Sequence, residues 1–119
     1  MEIFKEFSFD SAHRLPNVPE GHKCARLHGH TYHVSLFVSG MVGDESGWVM
    51  DFGDIKKAFK PILKQLDHYY LNEIEGLENP TAENIARWIW LRLKPELPEL
   101  SKILIKETCT SGCIYSGEV

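Results

Sequence analysis

The residues best suited to chemistry in this sequence are His28 and His30, separated by a single glycine. Alternate residues of a β-strand point the same way, so two such imidazoles stand about 7 Å apart along one face and can converge on a single ion. His13 is the natural third ligand, because it continues the parity of Ile3, Phe7, Phe9 and Ser11 in an earlier run. Three imidazoles and one open position make up the ligand set of a catalytic zinc site. The same His-x-His pattern also occurs in strands that hold no metal, and spacing alone leaves both readings open. His33 has the opposite parity and His22 sits in a loop with Pro and Gly, so both rank lower.

Cys24 lies four residues before His28, with Lys23 and Arg26 close by in sequence. Cationic neighbours and a divalent metal favour a thiolate, which can act as base or nucleophile; a buried, inert cysteine is the competing reading. Asp67 and His68 follow a helical run, and a carboxylate beside an imidazole can fix its tautomer for proton transfer. Adjacent side chains seldom bond one another, so a polar helix end contacting third groups is an equal reading. Glu107 shares the parity of Ile103 and Ile105, which sends its carboxylate out from an apolar strand face. Such a carboxylate needs partners: either a heterocycle with two adjacent N–H donors, as in a pterin or guanine, or a lysine or arginine. Cys109 and Cys113 frame Thr-Ser-Gly in a turn, lack the further ligands of a zinc site, and read as structural.

The elements that must hold these residues follow from hydrophobic periodicity. Alternation predicts one strand from Ile3 to Phe9 and another from His28 to Gly40, with Tyr32, Val34, Leu36 and Val38 on its apolar side. Turn-forming residues from Gly40 to Gly47 suggest that Trp48-Val49-Met50 returns as a hairpin arm. Asp51 is placed to cap a helix carrying Ile55, Ala58, Phe59, Ile62, Leu63 and Leu66, with Pro61 a source of a kink. Thr81 is placed to cap a second helix with Ile85, Trp88, Ile89 and Leu93, ended by Pro95 and Pro98. Two strands close the chain, Lys102 to Thr108 and Cys113 to Ser116, joined at Thr110-Ser111-Gly112. The expectation is an α+β arrangement in one domain over residues 1–119: a four-stranded antiparallel sheet with two helices on one face.

Composition narrows the function further. The 119 residues are 43% hydrophobic and 25% charged, the profile of an ordinary folded domain. A net charge of -4 without a dense Lys/Arg run argues against a nucleic-acid partner. No unbroken apolar stretch suits a signal peptide or membrane span, and three cysteines do not make a disulfide framework, so a cytoplasmic location is expected.

Together the segments FDSAHRL, CARLHGH, DHYYLN, NPTAENIA and KETCTSGC resemble the 6-pyruvoyl- and 6-carboxytetrahydropterin synthase family over nearly the whole chain. The resemblance implies a tunnelling fold (T-fold) whose sheets join into a barrel, as trimers stacked into a homohexamer. It implies Zn²⁺ held by His13, His28 and His30, a catalytic Cys24, an Asp67-His68 pair and a pterin-anchoring Glu107. The three residues between Cys24 and His28 resemble the bacterial carboxy-forming members. The implied reaction converts 7,8-dihydroneopterin triphosphate to 6-carboxy-5,6,7,8-tetrahydropterin, acetaldehyde and triphosphate, toward queuosine and related deazapurines. The competing readings are a pyruvoyl-forming enzyme, a noncatalytic pterin- or purine-binding module and an unrelated three-histidine zinc hydrolase.

Overall fold

The alternating hydrophobes of the first two strands pair with one another along their full length. The computed structural model of the protein describes residues 1–118. Strand β1 (Glu2–His13) runs antiparallel to β2 (His28–Ser39), with Phe7 opposite Val34, Phe9 opposite Tyr32, Ser11 opposite His30 and His13 opposite His28. The first strand therefore continues past Phe9 to His13, because β2 offers it a ladder partner at every position. Strands β3 (Leu100–Lys106) and β4 (Gly112–Tyr115) complete a sheet in the order β1-β2-β3-β4, every neighbour antiparallel, with a register shift between Phe37 and Val38.

Two helices cover one face. Helix α1 (Phe52–Leu66) is capped by Asp51, whose carboxylate accepts from the Gly53 N–H at 2.8 Å, and it buries Ile55, Phe59, Ile62 and Leu66. Helix α2 (Ala82–Leu93) is capped by Thr81, whose Oγ1 accepts from the Asn84 N–H at 3.1 Å. Its buried face carries Ile85, Ala86, Trp88, Ile89 and Leu93. Helix α1 packs over β1, where Phe59 meets Phe7 with ring centroids 4.8 Å apart, while α2 packs over β3 and β4. Each large apolar side chain buried between these layers contributes about 1.5–3 kcal/mol relative to its exposed state. The α+β class and the two-helix cover agree with the expectation from sequence. No helix among the described residues is long and apolar enough to cross a membrane.

Several local expectations are corrected. Trp48-Val49-Met50 is not a strand: Gly43 N–H bonds the Trp48 carbonyl at 2.9 Å in a closed loop, and both edges of β2 are already taken by β1 and β3. Helix α1 passes through Pro61 without interruption, the proline lying on its exposed side. Strand β3 begins at Leu100 and ends at Lys106, so Glu107 stands in the turn just beyond it, where its N–H bonds Ser111 O at 3.3 Å.

One connection matters most for the site. After α1, residues 66–72 run alongside the end of β1: His68 N–H donates to Asp10 O at 2.7 Å, Ala12 N–H to Tyr69 O at 3.2 Å, and Arg14 N–H to Asn72 Oδ1 at 3.0 Å. The Ser11 hydroxyl donates to Leu66 O in the same seam. Replacing Phe59 with Ala should lower unfolding free energy by about 3–5 kcal/mol through the cavity it leaves, whereas Thr81→Ala should cost about 1 kcal/mol through a lost cap. Urea unfolding monitored by circular dichroism would read both.

Candidate metal centre and active site

Two strand ends and one turn meet below the helices. The antiparallel register sets His13 directly opposite His28, and the two-residue repeat of β2 brings His30 to the same face. One ligand atom from each of the three histidines lies within 4.8 Å of the other two, and His13 Nε2 and His28 Nε2 are 3.1 Å apart. His13 is fully buried; His28 and His30 are half-buried at the mouth.

The outer ring nitrogens determine which atoms face inward. His13 Nδ1–H donates to Pro80 O at 2.9 Å, and His28 Nδ1–H donates to Arg26 O at 2.7 Å. A carbonyl oxygen can only accept, so each Nδ1 carries the proton and each Nε2 presents a lone pair to the centre. Two lone pairs 3.1 Å apart repel unless a cation lies between them. Burial lowers the His30 pKa below the usual range, opposed by Glu107 and aided by the other two imidazoles, which favours the neutral, ligating form. This donor set fits a divalent transition metal, and zinc suits imidazole.

Glu107 reaches the same place from the β3–β4 turn. Its Oε1 is 3.1 Å from His13 Nε2 and 3.4 Å from His30 Nε2. The adjoining His13 ring holds the Glu107 carboxyl below its ordinary pKa; burial opposes this, and His30 and His28 add to it.

Asp67 and His68 form a pair after all, by way of an unusual backbone. His68 has φ of 63°, in the left-handed region that non-glycine residues rarely enter, and this turns its ring back so that Nδ1 lies 3.0 Å from Asp67 Oδ2. The other carboxylate oxygen, Oδ1, accepts from Asp10 N–H at 3.0 Å, the largest cause of a lowered Asp67 pKa. His68 and His30 line one open cleft of about 620 Å³ together with Asp10, Ser11 and Tyr69, a size that admits a small heterocyclic ligand.

Cys24 is held elsewhere on this end of the molecule. It sits in a single 3₁₀ turn, Lys23–Ala25, half-buried, with its N–H bonded to His22 Nδ1 at 3.0 Å and its carbonyl accepting from Leu15 N–H at 2.7 Å. It joins neither the three-histidine cluster nor the lining of the cleft. Cys109 is exposed and Cys113 half-buried, both free thiols. Tyr32 was read from sequence only as part of the apolar side of β2, though its parity with His28 and His30 was the available signal; it is fully buried and its hydroxyl lies 3.0 Å from His13 Nδ1. The Pro80 carbonyl had no sequence signal, because any residue supplies a carbonyl.

Comparison with known proteins finds relatives over nearly the whole chain. A family model described as 6-pyruvoyl tetrahydropterin synthase matches residues 2–118. The chain is 47% identical to a 6-carboxy-5,6,7,8-tetrahydropterin synthase of Synechocystis, covering 95% of this chain and 91% of that one. It is 43% identical to a dihydroneopterin monophosphate aldolase of Pyrococcus furiosus, covering 81% of this chain and 77% of that one. The fold superposes on the 6-pyruvoyl tetrahydropterin synthase of Caenorhabditis elegans with a TM-score of 0.90 at 28% identity, covering 99% and 96% of the two chains.

The cluster predicts one divalent ion per chain. His28→Ala and His30→Ala should each weaken cobalt(II) binding by about a hundredfold or more, since even losing a partner of a metal-ligating histidine costs 10–100-fold. Competition against a chelator would measure it.

Proposed function

The chain belongs to the 6-pyruvoyl tetrahydropterin synthase family, and from that premise we propose that it is a zinc-dependent carbon–carbon lyase of the 6-carboxytetrahydropterin synthase type. It converts 7,8-dihydroneopterin triphosphate to 6-carboxy-5,6,7,8-tetrahydropterin, releasing acetaldehyde and triphosphate, and serves queuosine and related deazapurine synthesis. The observation that carries this reading is the 47% identity to the Synechocystis 6-carboxy-5,6,7,8-tetrahydropterin synthase across almost the full length of both chains.

His13, His28 and His30 would hold Zn²⁺, with the Nδ1 protons of His13 and His28 directed outward and their Nε2 lone pairs inward. Zinc supplies Lewis acidity at the substrate side chain, stabilising the negative charge that develops on oxygen. Cys24, outside the cluster and the cleft lining within one chain, is assigned removal of a carbon-bound proton as a thiolate on the family motif alone. His68, its Nδ1 held by Asp67 Oδ2 and its ring lining the cleft, exchanges protons with the side chain. Glu107 anchors the pterin ring through its adjacent N–H donors. The assembly is a homohexamer of two stacked trimers; in support, the outer edges of β1 and β4 have no partner strand among the described residues, and Phe4 and Ile114 are exposed on the open face of the sheet.

A second reading has its own support in the 43% identity to the Pyrococcus furiosus dihydroneopterin monophosphate aldolase. An aldolase, too, breaks a carbon–carbon bond, and the name of that relative points to a monophosphate rather than a triphosphate substrate.

Incubation of zinc-loaded protein with fresh 7,8-dihydroneopterin triphosphate should give the 6-carboxy product and acetaldehyde by mass spectrometry, and chelation should abolish both. A 6-pyruvoyl product, or turnover confined to the monophosphate, would reassign the reaction. Cys24→Ala should lose turnover by about 10²-fold or more while retaining its zinc; undiminished activity would remove Cys24 from the mechanism.

A further inference from the structure

His13 is held at Nδ1 from two sides, and the two supports differ in kind. On one side stands the Tyr32 hydroxyl, 3.0 Å away, on a ring fixed in the sheet by its stacking against Phe9. On the other, 2.9 Å away, stands the carbonyl of Pro80, which belongs to a loop outside the sheet and the helices. A carbonyl presents its lone pairs only as accurately as its backbone is fixed, so the placing of residues 79–81 decides how well this acceptor meets the ring. Part of that placing is local: the Thr81 N–H donates back to Asn79 O at 2.9 Å, closing a three-residue turn about Pro80. The rest comes from helix α2. Asn84, in its first turn, donates from Nδ2 to the same Asn79 O at 2.8 Å and from its N–H to Thr81 Oγ1 at 3.1 Å. A carbonyl oxygen only accepts, so the amide NH₂ of Asn84, and not its oxygen, faces the turn.

We infer that Asn84 is a positioning residue of the metal centre: its amide ties the turn about Pro80 to α2, and the Pro80 carbonyl in turn fixes the ring of His13 so that Nε2 faces the ion. The inference rests on the metal reading above. The turn's own bond cannot supply this, because a turn closed on itself still pivots about its flanking residues. The Thr81 hydroxyl is already engaged as the acceptor of the helix cap. Helix α2 is a firm anchor, since Ile85, Ala86, Ile89 and Leu93 seat it against β3 and β4. Support therefore passes from the packed core through Asn84, Asn79 and Pro80 to a ligand 71 positions away from Asn84 in sequence. Without the Asn84 amide, Asn79 O keeps the Thr81 N–H and the cap keeps the Asn84 N–H, so the fold persists while the carbonyl loses its aim. Metal-bound imidazoles depend on such outer partners for ring orientation and basicity.

Cobalt(II) binding measured by chelator competition, beside urea unfolding of the metal-free protein, separates this role from plain stabilisation. Asn84→Ala should weaken cobalt binding by about tenfold, the lower end of what losing an outer partner of a metal-bound histidine costs. Asn84→Asp keeps the shape but turns an acceptor toward Asn79 O, so it should lose affinity as well. Its stability should hold, because a carboxylate in the first turn favours a helix. Asp51→Ala serves as the control: it removes the cap of α1, and should lower stability while leaving cobalt affinity at the wild-type value. Wild-type affinity in both Asn84 variants, or a loss in them no larger than in Asp51→Ala, would overturn the inference. A wild type that binds no cobalt would sink the metal reading and this inference together, a failure distinct from variants that bind as tightly as wild type.

Discussion

The register between β1 and β2 is the constraint on which the rest depends. It places His13 opposite His28 and Ser11 opposite His30, so that ligands 15 residues apart in sequence share one face. A slip of one residue would send His13 to the other face of the sheet and would expose Phe9 at the same time. The buried pairing of Phe9 with Tyr32, stacked at 4.9 Å, opposes that slip. Core packing and site geometry are therefore one problem: the hydrophobes that hold the sheet against the helices also set the alignment of the imidazoles.

Main-chain carbonyls then do what side chains do in many metal sites. Pro80 O and Arg26 O hold the ring protons of His13 and His28 on the outside, and neither carbonyl depends on the identity of its residue. The loop before α2 is thereby tied to the chemistry, since Thr81 caps the helix immediately after Pro80. The seam between residues 66–72 and the end of β1 does the same for the Asp67–His68 pair. Asp10 grips the pair by its own backbone, accepting from His68 N–H and donating to Asp67, and so offsets the strain of a histidine at φ 63°.

Much of this was legible in the sequence because periodicity and chemistry agreed. The parity of Tyr32, Val34, Leu36 and Val38 defined the buried face of β2, and His28 and His30 carried the same parity into the site. Asp51 and Thr81 marked both helix starts, since each precedes an apolar run and has a side chain able to accept a backbone N–H. What was not legible depended on tertiary context. Trp48-Val49-Met50 has strand-like composition but finds no free edge on β2. Glu107 was assigned to a strand face and instead extends from a turn, which gives its carboxylate the reach to two histidines. The backbone of His68 could not be read from its type, because only the seam with β1 enforces it.

The central claim is that three imidazoles on one strand pair hold a zinc ion with no sulfur ligand. Zinc K-edge X-ray absorption on the protein as purified tests it most directly, because the first shell separates nitrogen and oxygen at about 2.0–2.2 Å from sulfur at about 2.3 Å. The proposed function predicts one zinc per chain with imidazole scattering from three histidines and only nitrogen or oxygen donors. A sulfur scatterer would make Cys24 a ligand rather than a base, and a protein that carries no zinc and cannot be loaded with it would contradict the account outright.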